Sequence, residues 1–109
     1  MKKIVVYKTI SGKEPFTDWF YKIRDEEVKS KIVTRLDRLR YNNYGHYRYL
    51  GSDLIELKEN IGGGIRIYFT EKEEEIIILL CGGNKDSQKR DIIKVQKYLE
   101  ELKNEKKYK

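Results

Sequence analysis

Two runs that alternate apolar and polar positions, Leu54-Ile55-Glu56-Leu57-Lys58 and Ile65-Arg66-Ile67-Tyr68-Phe69, flank the loop Asn60-Ile61-Gly62-Gly63-Gly64. A period of two marks half-buried strands, and glycines tolerate the positive φ of tight connections, so the stretch predicts a β-hairpin. Paired about the glycines, Ile55 and Leu57 come opposite Phe69 and Ile67. An apolar ladder then occupies one face and Glu56, Lys58, Arg66 and Tyr68 the other; a slip of one residue would mix the two. After the polar turn Lys72-Glu73-Glu74, the unbroken apolar run Ile76 to Leu80 predicts a strand covered on both faces, inside the sheet. Gly82-Gly83 reads as the turn that follows it.

The flanking segments supply the remaining elements. Ile4-Val5-Val6-Tyr7 has the β-branched and aromatic content of a short strand. Pro15 suits the first turn of a helix, and Phe16, Trp19, Phe20 and Ile23 at i, i+3, i+4 and i+7 make its buried stripe, with Trp19 a core anchor rather than a base-stacking residue. Asp25, Glu26 and Glu27 suit the start of a second helix, with Val28, Ile32, Leu36 and Leu39 facing the core and an end near Asn42-Asn43, before Gly45. Tyr47-Arg48-Tyr49 fits an edge strand. Ile92, Val95, Leu99 and Leu102 define a last helix, followed by a basic tail, 103–109, expected to fray. The order is strand, two helices, three or four strands, helix. It predicts an α+β fold with a small, antiparallel-dominated sheet of four to five strands, two N-terminal helices and a C-terminal helix. The apolar hairpin face is expected against the aromatic stripe and the last helix, with the polar face open.

Composition narrows the function. At 109 residues the chain has room for one core and one domain. Its charged fraction of 39% exceeds the roughly 25% usual in globular domains, and the net charge is +6. A polyanionic partner follows, nucleic acid ahead of an anionic membrane surface; an acidic protein, or a surface that is merely basic, fits the same numbers. No apolar run approaches the roughly 20 residues that span a bilayer, and the N-terminal apolar stretch is too short for a signal peptide, so a cytoplasmic location is expected. One cysteine and one histidine preclude an internal disulfide and a zinc cluster of those residues, and Cys81 reads as a buried strand position. The carboxylates show no metal-ligand pattern, and Gly62 to Gly64 lacks the lysine and Ser or Thr of a nucleotide-binding loop.

Candidate chemistry then falls on few residues. Lys31, Arg35 and Arg38 form a basic stripe on the second helix, either a solvated face or a surface that tracks RNA phosphates. Arg48 between Tyr47 and Tyr49 fits an edge strand, or a surface on which bases stack. His46, as the chain's one histidine, is a candidate general base, but no local carboxylate or nucleophile orients it.

Three segments in order carry a resemblance. They are Gly12-Lys13-Glu14-Pro15-Phe16-Thr17-Asp18-Trp19; Glu56-Leu57-Lys58 with Gly64-Ile65-Arg66-Ile67-Tyr68-Phe69; and Leu79-Leu80-Cys81-Gly82-Gly83-Asn84-Lys85 with Gln88 and Asp91-Ile92. Together they resemble the signature of HigB-like addiction module killer toxins, of the RelE/ParE superfamily of type II toxin-antitoxin systems. The resemblance runs from Tyr7 to Leu102. It implies a RelE-like fold and a toxin restrained by a cognate antitoxin, expected to be a helix-turn-helix protein. The RelE and HigB branches cut mRNA on the ribosome without a metal or cofactor, whereas the ParE branch poisons DNA gyrase. The family's shared arginine matches Arg66, and a second basic position matches Lys85. The lysine that RelE carries before the hairpin falls at Glu56, with Lys58 the nearest substitute, and its C-terminal tyrosine falls near Asp91.

The resemblance therefore implies Arg66, Lys85 and Lys58 as the catalytic set, with Tyr68 or Glu56 positioning or accepting a proton. Lys31, Arg35, Arg38, Arg48, Tyr68, Gln88 and Arg90 are the expected RNA contacts, and Gln88 and Asp91 are expected to orient Lys85. A plain RNA- or DNA-binding module led by the Lys31 to Arg38 stripe remains an alternative.

Overall fold

The computed structural model of the chain describes residues 1–105. Its elements are β1 (Lys3–Val6), α1 (Pro15–Lys22), α2 (Glu26–Leu39), β2 (Tyr47–Gly51), β3 (Leu54–Glu59), β4 (Ile65–Lys72), β5 (Ile76–Gly83) and α3 (Gln88–Asn104). The five strands form one sheet in the order β1-β5-β4-β3-β2. β1 runs parallel to β5, and every other pair is antiparallel. This is the α+β class expected, and the hairpin takes the register its apolar ladder demands, Ile55 opposite Phe69 and Leu57 opposite Ile67.

The sheet separates two cores. On one face Phe16 of α1 and Val28, Ile32 and Leu39 of α2 pack on Leu57, Ile67, Phe69, Ile77 and Leu79. On the other, Val95, Leu99 and Leu102 of α3 pack on Leu54, Tyr68, Ile78 and Leu80, with Tyr7 beside them. The continuous apolar run of β5 is thus explained, because alternate residues enter opposite cores. The expectation for α3 is corrected: it does not join the aromatic stripe but lies across the other face, and covers much of the hairpin's polar row.

Local chemistry sets the element ends. Asp25 caps α2, its Oδ1 accepting from the backbone N–H of Glu27 at 2.9 Å and of Val28 at 3.3 Å, a contact worth about 1 kcal/mol. α2 ends at Leu39, a turn earlier than the Asn42-Asn43 expectation, because the N–H of Arg40 closes back on Asp37 and Asn42 turns left-handed. Gly82 and Gly83 belong to β5 rather than to a turn. A Cβ at Gly82 would fall inside the Trp19 ring, and one at Gly83 would strike the Asp91 carboxylate, so each glycine lets a helix approach its face of the strand. α3 carries Lys103 and Asn104 of the basic tail, with Lys103 Nζ 3.2 Å from Asp53 Oδ2. The expected fraying of 106–109 lies outside the described residues.

Candidate nucleic-acid interface

Arg66 stands on β4 directly opposite Lys58 of β3 and Gly83 of β5. It is only 8% exposed, its Nη1 donates to the Gly64 carbonyl at 2.6 Å, and its Nε is buried without a partner. Gly64, at φ +80°, admits this geometry. A Cβ there would lie 2.5 Å from Arg66 Nη1 and 3.4 Å from Lys85 Cβ. The glycine loop therefore presses against the guanidinium on one side and the Lys85 stem on the other, and the Lys85 N–H reaches the Gly63 carbonyl at 3.4 Å. The structure brings Arg66, Lys58 and Lys85 to one end of the sheet. Among the described residues none of the three forms an ion pair.

One row further along the strands, Arg48, Glu56 and Tyr68 are neighbours across β2, β3 and β4. Glu56 is fully buried. Its Oε2 accepts from Gln88 Nε2 at 2.9 Å, and its Oε1 lies 3.3 Å from Nη2 of Arg48, whose side chain is half exposed. Tyr68 is also fully buried; burial first, then the nearby Glu56 charge, pushes its ionisation well above the ordinary tyrosine value. Three expectations are corrected together, since α3 closes over this row. Tyr68 presents no ring for a base to stack on, and neither it nor Glu56 faces solvent to exchange a proton with a substrate. Gln88 holds Glu56 rather than orienting Lys85. Asp91, likewise buried, accepts from Ser87 Oγ at 2.5 Å in the first turn of α3.

On α2, Lys31 and Arg38 are exposed, but Arg35 is 8% exposed and is not part of an open basic stripe. Its Nη1 donates to the Lys58 carbonyl at 2.5 Å and to Glu59 Oε2 at 2.9 Å; its Nη2 donates to the carbonyls of Tyr44 at 2.8 Å and His46 at 3.0 Å. The guanidinium pins the 44–46 loop to β3, so both of its amino groups are spent on partners within the protein. The sequence held the signal: Val28, Ile32, Arg35 and Leu39, spaced four, three and four, make a continuous helical stripe with arginine in it. Arg90 is exposed at the start of α3, and His46 is exposed beside Lys58, whose N–H bonds the His46 carbonyl at 2.9 Å. Cys81 is buried as expected, and desolvation pushes its thiol up to about 11.

Among the described residues no three His, Cys, Asp or Glu side chains gather as metal ligands, and no helix is long and apolar enough to cross a membrane. The family model "Phage derived protein Gp49-like" matches residues 18–103, a span that holds the Arg66 cluster, α2 and most of α3. An uncharacterized protein of Haemophilus influenzae is 33% identical over 87 residues, covering 80% of this chain and 88% of its own length.

Proposed function

We propose, from the premise that the chain belongs to the phage-derived Gp49-like family, that it is the toxin of a type II toxin-antitoxin module and cuts mRNA on the ribosome without a metal. The observation that carries this reading is Arg66, buried with its Nε unpartnered and set between two lysines that have no carboxylate partner among the described residues. Attack of an RNA 2′-hydroxyl on the adjacent phosphorus expels the 5′-oxygen and concentrates negative charge on the phosphorane. Fixed cations aimed at that charge are the strongest lever a protein has over such a step. Arg66 stays protonated and serves as the stabiliser, and its burial strengthens the interaction by excluding water. Lys58 and Lys85 share the phosphate and are the groups placed to exchange protons, since Glu56 and Tyr68 lie under α3. Lys31, Arg38, Arg48 and Arg90 extend the positive surface for the RNA and the ribosome. A cognate antitoxin is the partner that would restrain the activity.

The test is induced expression of the wild type and of Arg66→Ala in growing cells, with primer extension on abundant mRNAs. The expected result is growth arrest with in-frame cleavage for the wild type and its loss in the variant. Arrest with intact mRNA and a DNA-damage response would replace the ribonuclease reading with gyrase poisoning.

A further inference from the structure

Glu56 lies between Leu54 and Lys58 on one face of β3 and opposite Tyr68 of β4, with none of its surface exposed. Packing does not call for a charge there, because apolar side chains of similar volume commonly replace a buried ion pair with no loss of stability. We propose that Glu56 is a positioning residue of the RNA site: it fixes the Arg48 guanidinium, whose remaining donors meet the RNA backbone next to Lys58. The inference rests on the ribonuclease reading for the identity of that ligand.

The register supplies the geometry. Arg48 stands directly opposite Glu56 and Lys58 directly opposite Arg66, so all four side chains leave the face of the sheet on which α3 lies. Arg48 and Lys58 are diagonal neighbours across β2 and β3, a separation that long side chains bridge. Arg48, Lys58 and Arg66 thus form one arc of cations from the β2 edge to β4. The contacts supply the restraint. From α3, Gln88 Nε2 donates to Glu56 Oε2 at 2.9 Å and fixes the carboxylate. Glu56 Oε1 makes no hydrogen bond, and among the described residues no cation other than Arg48, with Nη2 at 3.3 Å, lies within ion-pair distance of it. One amino group of a half-exposed guanidinium is therefore held from inside the protein, and no second carboxylate among the described residues competes for its other N–H groups. Ordering a free arginine at an interface costs roughly three- to tenfold in affinity, and a guanidinium fixed beforehand avoids that loss.

The test titrates an uncleavable 2′-O-methyl hexanucleotide against the full chain by fluorescence anisotropy, for wild type, Glu56→Gln, Arg48→Lys and the double variant. Glu56→Gln keeps the shape, its amide oxygen can still accept from Gln88, and the half-exposed Arg48 turns to water, so the fold is retained. Coulomb's law alone predicts tighter RNA binding when a negative charge leaves a cationic site. Positioning predicts the opposite sign, a loss of roughly three- to tenfold. In Arg48→Lys the ammonium has no rigid fork to be held by one arm, so adding Glu56→Gln is expected to leave affinity within about twofold. Relaxation of the Arg48 Nε nitrogen reads the restraint without RNA: ordered in wild type, mobile on the ps–ns timescale in Glu56→Gln. Glu56→Gln binding at or above wild-type affinity, an equal loss in the Arg48→Lys background, or an Arg48 Nε equally mobile in both proteins overturns the inference. Arg66→Ala separates this from the parent reading. A weakened Arg66→Ala beside an unweakened Glu56→Gln removes the positioning role alone, whereas an Arg66→Ala that binds like wild type removes the RNA site at Arg66 as well. Wild type that does not bind the hexanucleotide also overturns the proposal, and leaves ribosome-dependent cleavage to be judged by primer extension alone.

Discussion

Arg35→Ala separates a structural arginine from a surface cation, and its cost can be worked from the contacts. The substitution removes four donated hydrogen bonds, to Lys58, Tyr44 and His46 carbonyls and to Glu59. The His46 carbonyl keeps the N–H of Lys58, and Glu59, with a side chain 28% exposed, regains water, so those two losses are modest. The carbonyls of Lys58 and Tyr44 lose their side-chain donor; stranding a buried acceptor costs roughly 1–3 kcal/mol. Two such groups, discounted for water reaching the 43–46 loop, give about 3 kcal/mol, a large share of the roughly 5–15 kcal/mol that holds a domain together. At about 4 °C per kcal/mol for a domain of this size, the expected fall in Tm is about 12 °C. Arg35→Lys restores one or two of the donors and should recover less than half of it, since an ammonium cannot span the forked acceptors. Differential scanning calorimetry measures both, with Arg38→Ala as the exposed comparison, expected within about 0.5 kcal/mol of wild type. A Tm loss under about 3 °C for Arg35→Ala would refute the pinning role and return Arg35 to the solvated stripe.

Alkaline pH should destabilise the fold. Tyr7, Tyr44, Tyr68, Tyr98 and Cys81 are all raised, in each case chiefly by burial. Folded groups that keep protons the unfolded chain has released make stability fall as pH rises. For Cys81, raised from 9.0 to about 11, the loss is complete near pH 11 and amounts to about 2–3 kcal/mol. Urea midpoints should hold from about pH 7 to pH 8.5 and fall above about pH 9; a midpoint flat to pH 10.5 would sink the argument. Gly82→Ala, whose methyl would enter the Trp19 ring, should cost about 3 kcal/mol in chemical denaturation, whereas Gly63→Ala, with open space but φ +82°, should cost about 1 kcal/mol. The reverse order would show that α1 can yield.

The hairpin was legible because a period of two has only one register that keeps Ile55, Leu57, Ile67 and Phe69 together. The interior position of β5 followed from its unbroken apolar run for a related reason. The side of the sheet taken by α3 was not legible. Its stripe of Val95, Leu99 and Leu102 is equally apolar against either face; of the deciding contacts, Gln88 on Glu56 joins residues distant in sequence, and Gly83 against Asp91 depends on how the chain turns between β5 and α3. The same placement put Tyr68 and Glu56 out of reach. Alternation assigned them correctly to one face but could not say that a helix covered it.

Arg35 and Arg66 show what burial means once partners are counted. Each is 8% exposed. Arg35 meets four oxygen acceptors, and its charge is matched by Glu59. Arg66 meets one carbonyl, keeps its Nε unpartnered, and has no carboxylate among the described residues. A buried charge without compensation costs several kcal/mol, and sequences that break such local rules do so mainly at functional sites. The Gly64 carbonyl offsets part of that cost by accepting from one amino group, while the flanking Lys58 and Lys85 add like-charge repulsion and leave this end of the sheet positive. On the proposed ribonuclease reading, an arriving phosphate would supply the missing acceptor and the missing charge in one step at Arg66, whereas the equally buried Arg35 already has both.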